Sequence, residues 1–264
     1  MQKVIETKSI LAKLLATEDI TVEHQQVGTA AFDVKNRKLI LPMWGEMSDP
    51  LYDLLIGHEV GHARYTPPQG WHDAVLEDMN KKAFYNILED VRIEKKVKKK
   101  YPGLVKSFYQ GYRELFEKDF FGVKDRDYNN LTFIDRINLH YKIGAFLNVQ
   151  FSDTEKEILA RLDAAETWEE IKTLAEELYQ KAQDDKDTAM ETMSLDDMEF
   201  GEDGDDLDIG DMIEWEEGEG DVDAHQRIHK DDFEQEEKPI YSETDDTFRR
   251  KESELLDRWA QPIK

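Results

Sequence analysis

Ser48-Asp49-Pro50-Leu51-Tyr52-Asp53-Leu54-Leu55-Ile56-Gly57-His58-Glu59-Val60-Gly61-His62-Ala63-Arg64 is the stretch that decides how this chain reads. Ser48 followed by Asp49 and Pro50 is a helix start, with a capping hydroxyl and then a proline where a missing N–H leaves nothing unpaired. Leu51, Leu54 and Leu55 recur at helical spacing and, continued through His58 and His62, form one stripe. The helix is expected to run to about Arg64 and stop before Thr66-Pro67-Pro68. Histidines four apart on a helix lie on one face, one turn apart, and suit a shared zinc ion. Glu59 stands beside them, where a carboxylate can reach a water on such an ion and serve as general base. Gly57 and Gly61 leave room for close approach of backbone or substrate.

Catalytic zinc usually takes three protein ligands. The next helix is expected to run from about His72 to Lys100, and its stretch from Asn86 to Glu94 holds three carboxylates, Glu89, Asp90 and Glu94. Placed at about 100° steps, Leu76, Met79, Ala83, Ile87 and Val97 form an apolar arc. Asp90 and Glu94 lie inside that arc and Glu89 toward its polar edge. Buried carboxylates need a cation or strong donors. The angle favours Asp90 as third ligand, with Glu94 orienting a histidine from outside. Glu89 stays a competitor, because its longer side chain reaches further. The plainer reading of the same residues is a helix salt-bridged through Arg92 and Lys95.

The strings His58-Glu59-Val60-Gly61-His62-Ala63-Arg64-Tyr65-Thr66 and Asn86-x-x-Glu89-Asp90-x-Arg92-Ile93-Glu94 resemble the metallopeptidase-like front region of phage-encoded proteins similar to the T subunit of cobaltochelatase. They also resemble the gluzincin layout, in which a Glu on the following helix completes the site. The resemblance covers roughly residues 25–180. It implies a zincin-like domain, a zinc ion, a peptide or protein substrate, and an AAA+ ATPase as possible partner. It also pulls the third ligand toward Glu89, against the angular argument. In that family an acidic linker commonly leads to a von Willebrand factor A domain with an Asp-x-Ser-x-Ser motif. This sequence lacks that motif and reads as a shorter relative or as the front part of a longer protein, so a cobalamin function does not carry over.

Working outward, residues 3–16 read as a short helix, 29–42 as a β-hairpin turning at 35–38, and 104–118, 131–149, 154–163, 167–182 and 243–260 as further helices. The hairpin offers a possible edge strand for an extended peptide. His140, Tyr141, Tyr109 and Tyr112 are the candidates for stabilising an oxyanion.

The formal net charge is -25, yet residues 183–247 hold 27 Asp and Glu against 4 Lys and Arg, leaving 33 acidic and 31 basic residues elsewhere. A nearly neutral body therefore adjoins a very acidic segment. That segment has too few aliphatics to offset its ordering entropy, and 184–240 reads as mostly disordered. The basic run from Arg92 to Lys100 ends a helix, where cations suit the dipole, and reads as a solvated helix end and not as a nucleic-acid site. The chain has no cysteine, which excludes disulfides and thiolate ligands. No signal run or apolar stretch of about 20 residues is present, so the protein reads as soluble and cytoplasmic, in the host cytoplasm if phage-encoded. The expected class is α+β and mostly helical: a zincin-like domain over 1–182 with a small N-terminal hairpin, an acidic disordered linker over 183–242 and a C-terminal helix over 243–264. Two functions stand side by side, a zinc peptidase and a non-catalytic zinc-binding adaptor for an ATPase.

Overall fold

The computed structural model describes residues 21–25, 30–33, 36–42, 48–197 and 240–260. The helix expected over 3–16 and most of the acidic segment lie outside these residues. Among them the chain is mostly helical, with eight α-helices and one three-stranded sheet. It divides into two units, residues 1–180 with 239–264, and residues 181–238. The C-terminal stretch belongs to the first unit, together with the body.

The strands are β1 (Thr21–Gln25), β2 (Ala31–Asp33) and β3 (Lys38–Pro42), in the order β1-β3-β2. β2 and β3 form the expected antiparallel hairpin, with Ala31 opposite Ile40. Its turn is held by the Asp33 carboxylate, which accepts from the Asn36 backbone N–H at 2.9 Å and from Asn36 Nδ2 at 2.7 Å. β1 adds in parallel on the other side, Thr21 opposite Lys38, which makes β3 the central strand. Leu39 and Leu41 are fully buried and alternate with Lys38 and Ile40, as a sheet with one face on the core requires.

Helix α1 (Asp49–Tyr65) follows the sheet. The Ser48 hydroxyl accepts from the Leu51 N–H at 3.2 Å, filling one of the orphan donors of the first turn. The helix ends at Thr66, which is extended, because a following proline disfavours the helical conformation of the residue before it. Its buried positions are Leu51, Leu54, Leu55, Ile56, Gly57, Val60 and Gly61. His58 and His62 sit at the margin of that face, half buried, not in its middle. A Cβ at Gly61 would stand 3.0 Å from Val97 and 3.1 Å from Ile93. The missing side chain therefore lets α1 lie against the next long helix, and that approach brings the two metal-motif elements together.

The single helix expected over 72–100 is two. Helix α2 (Pro68–Glu77) stops at Asp78, a 3-10 turn covers Met79–Lys81, and α3 (Lys82–Lys100) begins anew. The break has a local cause: the Asp78 side chain accepts from the Asn80 N–H at 3.0 Å, a bond that competes with the helical ladder. Leu76 is 54% exposed in consequence and does not share the buried face of α3.

Helices α4 (Leu104–Glu117), α5 (Phe133–Ile143), α6 (Asp153–Ala164), α7 (Trp168–Asp197) and α8 (Glu243–Ala260) complete the chain. α5 stops at Gly144, short of 149, and α7 continues past 182. The described part of the second unit is the end of α7, residues 181–197.

α8 docks through polar groups as well as rings. Asp135 on α5 is fully buried, and its carboxylate accepts from the Ser242 hydroxyl at 2.6 Å and from the Thr244 N–H and hydroxyl at 2.9 and 2.7 Å. Phe248 packs on Phe120 and Phe121, ring centroids 5.5 Å apart in both cases. Gly122 adopts φ +67°, a left-handed conformation, and a Cβ there would meet Thr247 Cγ2 at 2.9 Å. No helix among the described residues is long and apolar enough to cross a membrane.

Candidate metal centre

α1 and α3 bring His58, His62 and Asp90 to one point. His62 Nε2 lies 3.2 Å from His58 Nε2 and 3.1 Å from Asp90 Oδ1. His58 Nε2 lies 3.6 Å from the same oxygen. Ligands of a tetrahedral first-row ion, each about 2.0–2.1 Å from it, stand roughly 3.3 Å apart. The three donor atoms match that spacing, and the cluster can hold a metal ion.

The outer nitrogens fix which ring atoms face inward. His58 Nδ1 is 3.0 Å from Glu94 Oε1, so an Nδ1–H donates to that carboxylate. The Tyr112 hydroxyl donates to the same oxygen, and Lys98 reaches Oε2 at 3.3 Å. His62 Nδ1 is 3.0 Å from Thr66 Oγ1. That hydroxyl in turn donates to Glu89 Oε1 at 2.5 Å, so its oxygen is left to accept from the ring N–H. Both imidazoles thereby turn Nε2 toward the cluster, the orientation that a partner on the other nitrogen gives metal-ligating histidines.

Glu89 is not at the cluster. It is fully buried against Arg92, which donates to both its oxygens, at 2.8 Å from Nε and 2.6 Å from the terminal nitrogen. Arg92 also donates to the carbonyls of Tyr65 at 2.8 Å and Glu166 at 3.1 Å. Glu89 therefore supports His62 through Thr66 and closes a link between α1, α3 and the start of α7. Glu94 supports His58. Among the described residues no Glu joins the two histidines in the cluster; the carboxylate there is that of the shorter Asp90.

The electrostatics follow from this crowding. Burial pulls the His58 pKa down, but Asp90, Glu94 and Glu59 outweigh it and raise it to about 9. Burial pushes Glu94 up, while Lys98 and His58 pull it down to about 2. Asp90, despite burial, is held far below the usual carboxylate range by Lys142, His58 and His62. Burial, then Glu94 and Asp90, push Tyr112 well above its ordinary value, so it stays a neutral donor. These directions set a pH dependence for the metal-free protein. His58 is raised on folding, so its contribution is complete below its unfolded value near 6.5 and is lost as pH rises through about 9. Chelator-treated protein is expected to melt progressively lower between pH 6.5 and 9, and His58→Gln to lack that slope. A slope identical in both proteins would contradict the assignment.

Lys142 on α5 is the member that the sequence did not reveal. Its Nζ donates to Asp90 Oδ2 at 2.9 Å. The signal was present, since Asp135, Asn138 and Lys142 recur at helical spacing on one face, but a lysine there reads as solvated. Of the oxyanion candidates, two have their hydroxyls engaged and two make ring contacts. Tyr141 donates to Asp163 at 3.0 Å, His140 packs on Tyr141 and Phe151, Tyr109 packs on Phe146, and Tyr112 serves Glu94. Glu59 is half buried on the motif turn. In the basic run, Lys96 bonds to Glu166 and Lys98 to Glu94.

Compared with known proteins, the chain matches no family model, no curated protein and no solved structure.

Proposed function

We propose that this protein is a zinc-dependent hydrolase of the zincin type, acting on peptide bonds with Glu59 as general base. The observation that carries the reading is the convergence of His58 Nε2, His62 Nε2 and Asp90 Oδ1 within 3.1–3.6 Å, each histidine oriented by a partner on its other nitrogen. Two imidazoles and one carboxylate oxygen, without any thiolate, suit zinc in a catalytic setting. The order of sheet, motif helix and carboxylate-bearing helix agrees with a zincin-like body, and with the likeness to the front region of cobaltochelatase T-type phage proteins. The departure from that likeness is Asp90 in the place of a glutamate.

Bound by these three residues, zinc would supply Lewis acidity, making a water more acidic and polarising the scissile carbonyl. Glu59 accepts the proton of the attacking water and returns it to the leaving nitrogen as the C–N bond breaks. With the ion bound, His58 and His62 would turn unprotonated Nε2 atoms to it, while their Nδ1–H groups donate to Glu94 and Thr66. A peptide or protein is the substrate on this reading, and the cytoplasm the place of action.

A second reading is favoured by one observation, that two of the four oxyanion candidates, Tyr112 and Tyr141, already give their hydroxyls to Glu94 and Asp163. It makes the protein a non-catalytic zinc-binding adaptor for an AAA+ ATPase. Glu59→Gln separates the two. On the enzyme reading it keeps zinc and fold and lowers peptide cleavage by roughly 10²–10⁴-fold, the usual weight of a general base. Wild-type protein that holds a full zinc equivalent yet cleaves nothing across a diverse peptide library would reverse the choice.

A further inference from the structure

We propose that Lys142 is the positioning residue of the metal centre, holding Asp90 to a single coordinating oxygen. The inference rests on the metal-binding reading above and is independent of whether peptides are cleaved.

The two oxygens of Asp90 have separate occupants. Oδ1 faces His62 Nε2 at 3.1 Å and His58 Nε2 at 3.6 Å, while Oδ2 accepts from Lys142 Nζ at 2.9 Å. The Lys142 and Asp90 side chains are only 12% and 13% exposed, so water does not compete freely for either. A carboxylate with both oxygens free can grip a cation through both. With an ammonium on Oδ2, electron density at that oxygen is drawn away from the site, and a dication approaching it meets like charge. Asp90 then offers Oδ1 alone. The coordination position that a second oxygen would fill stays open, which is the condition that distinguishes a catalytic zinc site from a closed structural one.

Lys142 is itself held from behind. Its Nζ lies 5.8 Å from the centre of the Phe248 ring on α8, a separation at which a cation is drawn to an aromatic face. One and two turns earlier on α5, Asn138 and Asp135 bind the start of α8, Asn138 Nδ2 donating to Thr244 Oγ1 at 3.0 Å. The lysine therefore stands between a ligand carboxylate and a docked helix.

The test uses cobalt(II) in the full chain, because its visible absorption is strong in four-coordinate sites and several-fold weaker in five-coordinate ones. The wild type is expected to give the strong four-coordinate spectrum. Lys142→Met is expected to lose intensity several-fold as Asp90 closes on the ion through both oxygens, and Lys142→Arg, which keeps a long cation there, to retain it. A wild-type spectrum in Lys142→Met would overturn the proposal. Should that variant not fold, X-ray absorption of the cobalt-loaded wild type decides the same point through the distance from the ion to the carboxylate carbon, which is shorter when both oxygens bind. The longer distance supports single-oxygen binding by Asp90, and the shorter one overturns it. Wild-type protein that takes up no cobalt would instead overturn the metal reading itself.

Discussion

Arg92→Met is expected to lower the stability of the metal-free protein by about 3–5 kcal/mol, the usual result of removing one partner from a buried ion pair. Arg92 is 3% exposed and Glu89 fully buried, and the guanidinium serves both carboxylate oxygens and two backbone carbonyls. The methionine leaves a charge that water cannot reach and two acceptors unpaired. At ~2–4 °C per kcal/mol for a domain of this size, the melting temperature falls by roughly 6–20 °C. Glu89→Ala strands the guanidinium and moves in the same direction. The double replacement Glu89→Leu with Arg92→Met is expected to recover much of the loss, since no charge is then left alone. Chelator-treated proteins compared by urea unfolding would show this. Single variants as stable as the parent would mean that the pair is solvated.

Asp90→Ala is expected to lose the metal. It removes one of three donors, so affinity should fall beyond the roughly 10–100-fold that losing an outer hydrogen-bonding partner costs. Glu94→Gln, which weakens only the support of His58, is the comparison that sets that scale. Glu89→Ala is expected to lose stability first and affinity second, because Glu89 reaches His62 only through Thr66. Metal content after dialysis and competition with a chelator of known affinity would rank the three. Metal retained at the wild-type level in Asp90→Ala and lost in Glu89→Ala would place the third ligand on the wrong residue.

The comparison of Glu89 with Asp90 also shows what a sequence can reveal. Helical angle alone separated the two. It put Asp90 and Glu94 inside the apolar arc, and the structure brings those two to the histidines, but it also put Glu89 at the polar edge, and Glu89 is fully buried beside Arg92. Side-chain length argued for Glu89 as a ligand, but for that residue the plainer reading, an ion pair with Arg92 three residues on, is what the structure shows. The start of α1 was legible from Ser48, Asp49 and Pro50, because a cap is a local device. The break at Asp78 was not, since a single side-chain bond to Asn80 competes with a helix that the apolar pattern continues through. The parallel pairing of β1 with β3 was also hidden. Alternation shows that a segment is a strand, but not which neighbour it finds. Lys142 illustrates the same limit for the site. Its role depends on Asp90, 52 residues away, and on a helix a further hundred residues on, and no local pattern links them.

The docking of α8 orders these events in time. The donors His58, His62 and Asp90 and their supports Thr66, Glu89, Arg92 and Glu94 all lie before residue 95, whereas the Phe248 ring behind Lys142 belongs to α8 (Glu243–Ala260). At a synthesis rate of about 5–20 residues per second, α8 follows the end of α5 by roughly 5–20 s. A growing chain thus has its metal donors in hand while Asp135 and Lys142 still await their partner. On the metal-binding reading, the three residues of the cluster are synthesised well before the ring that backs Lys142.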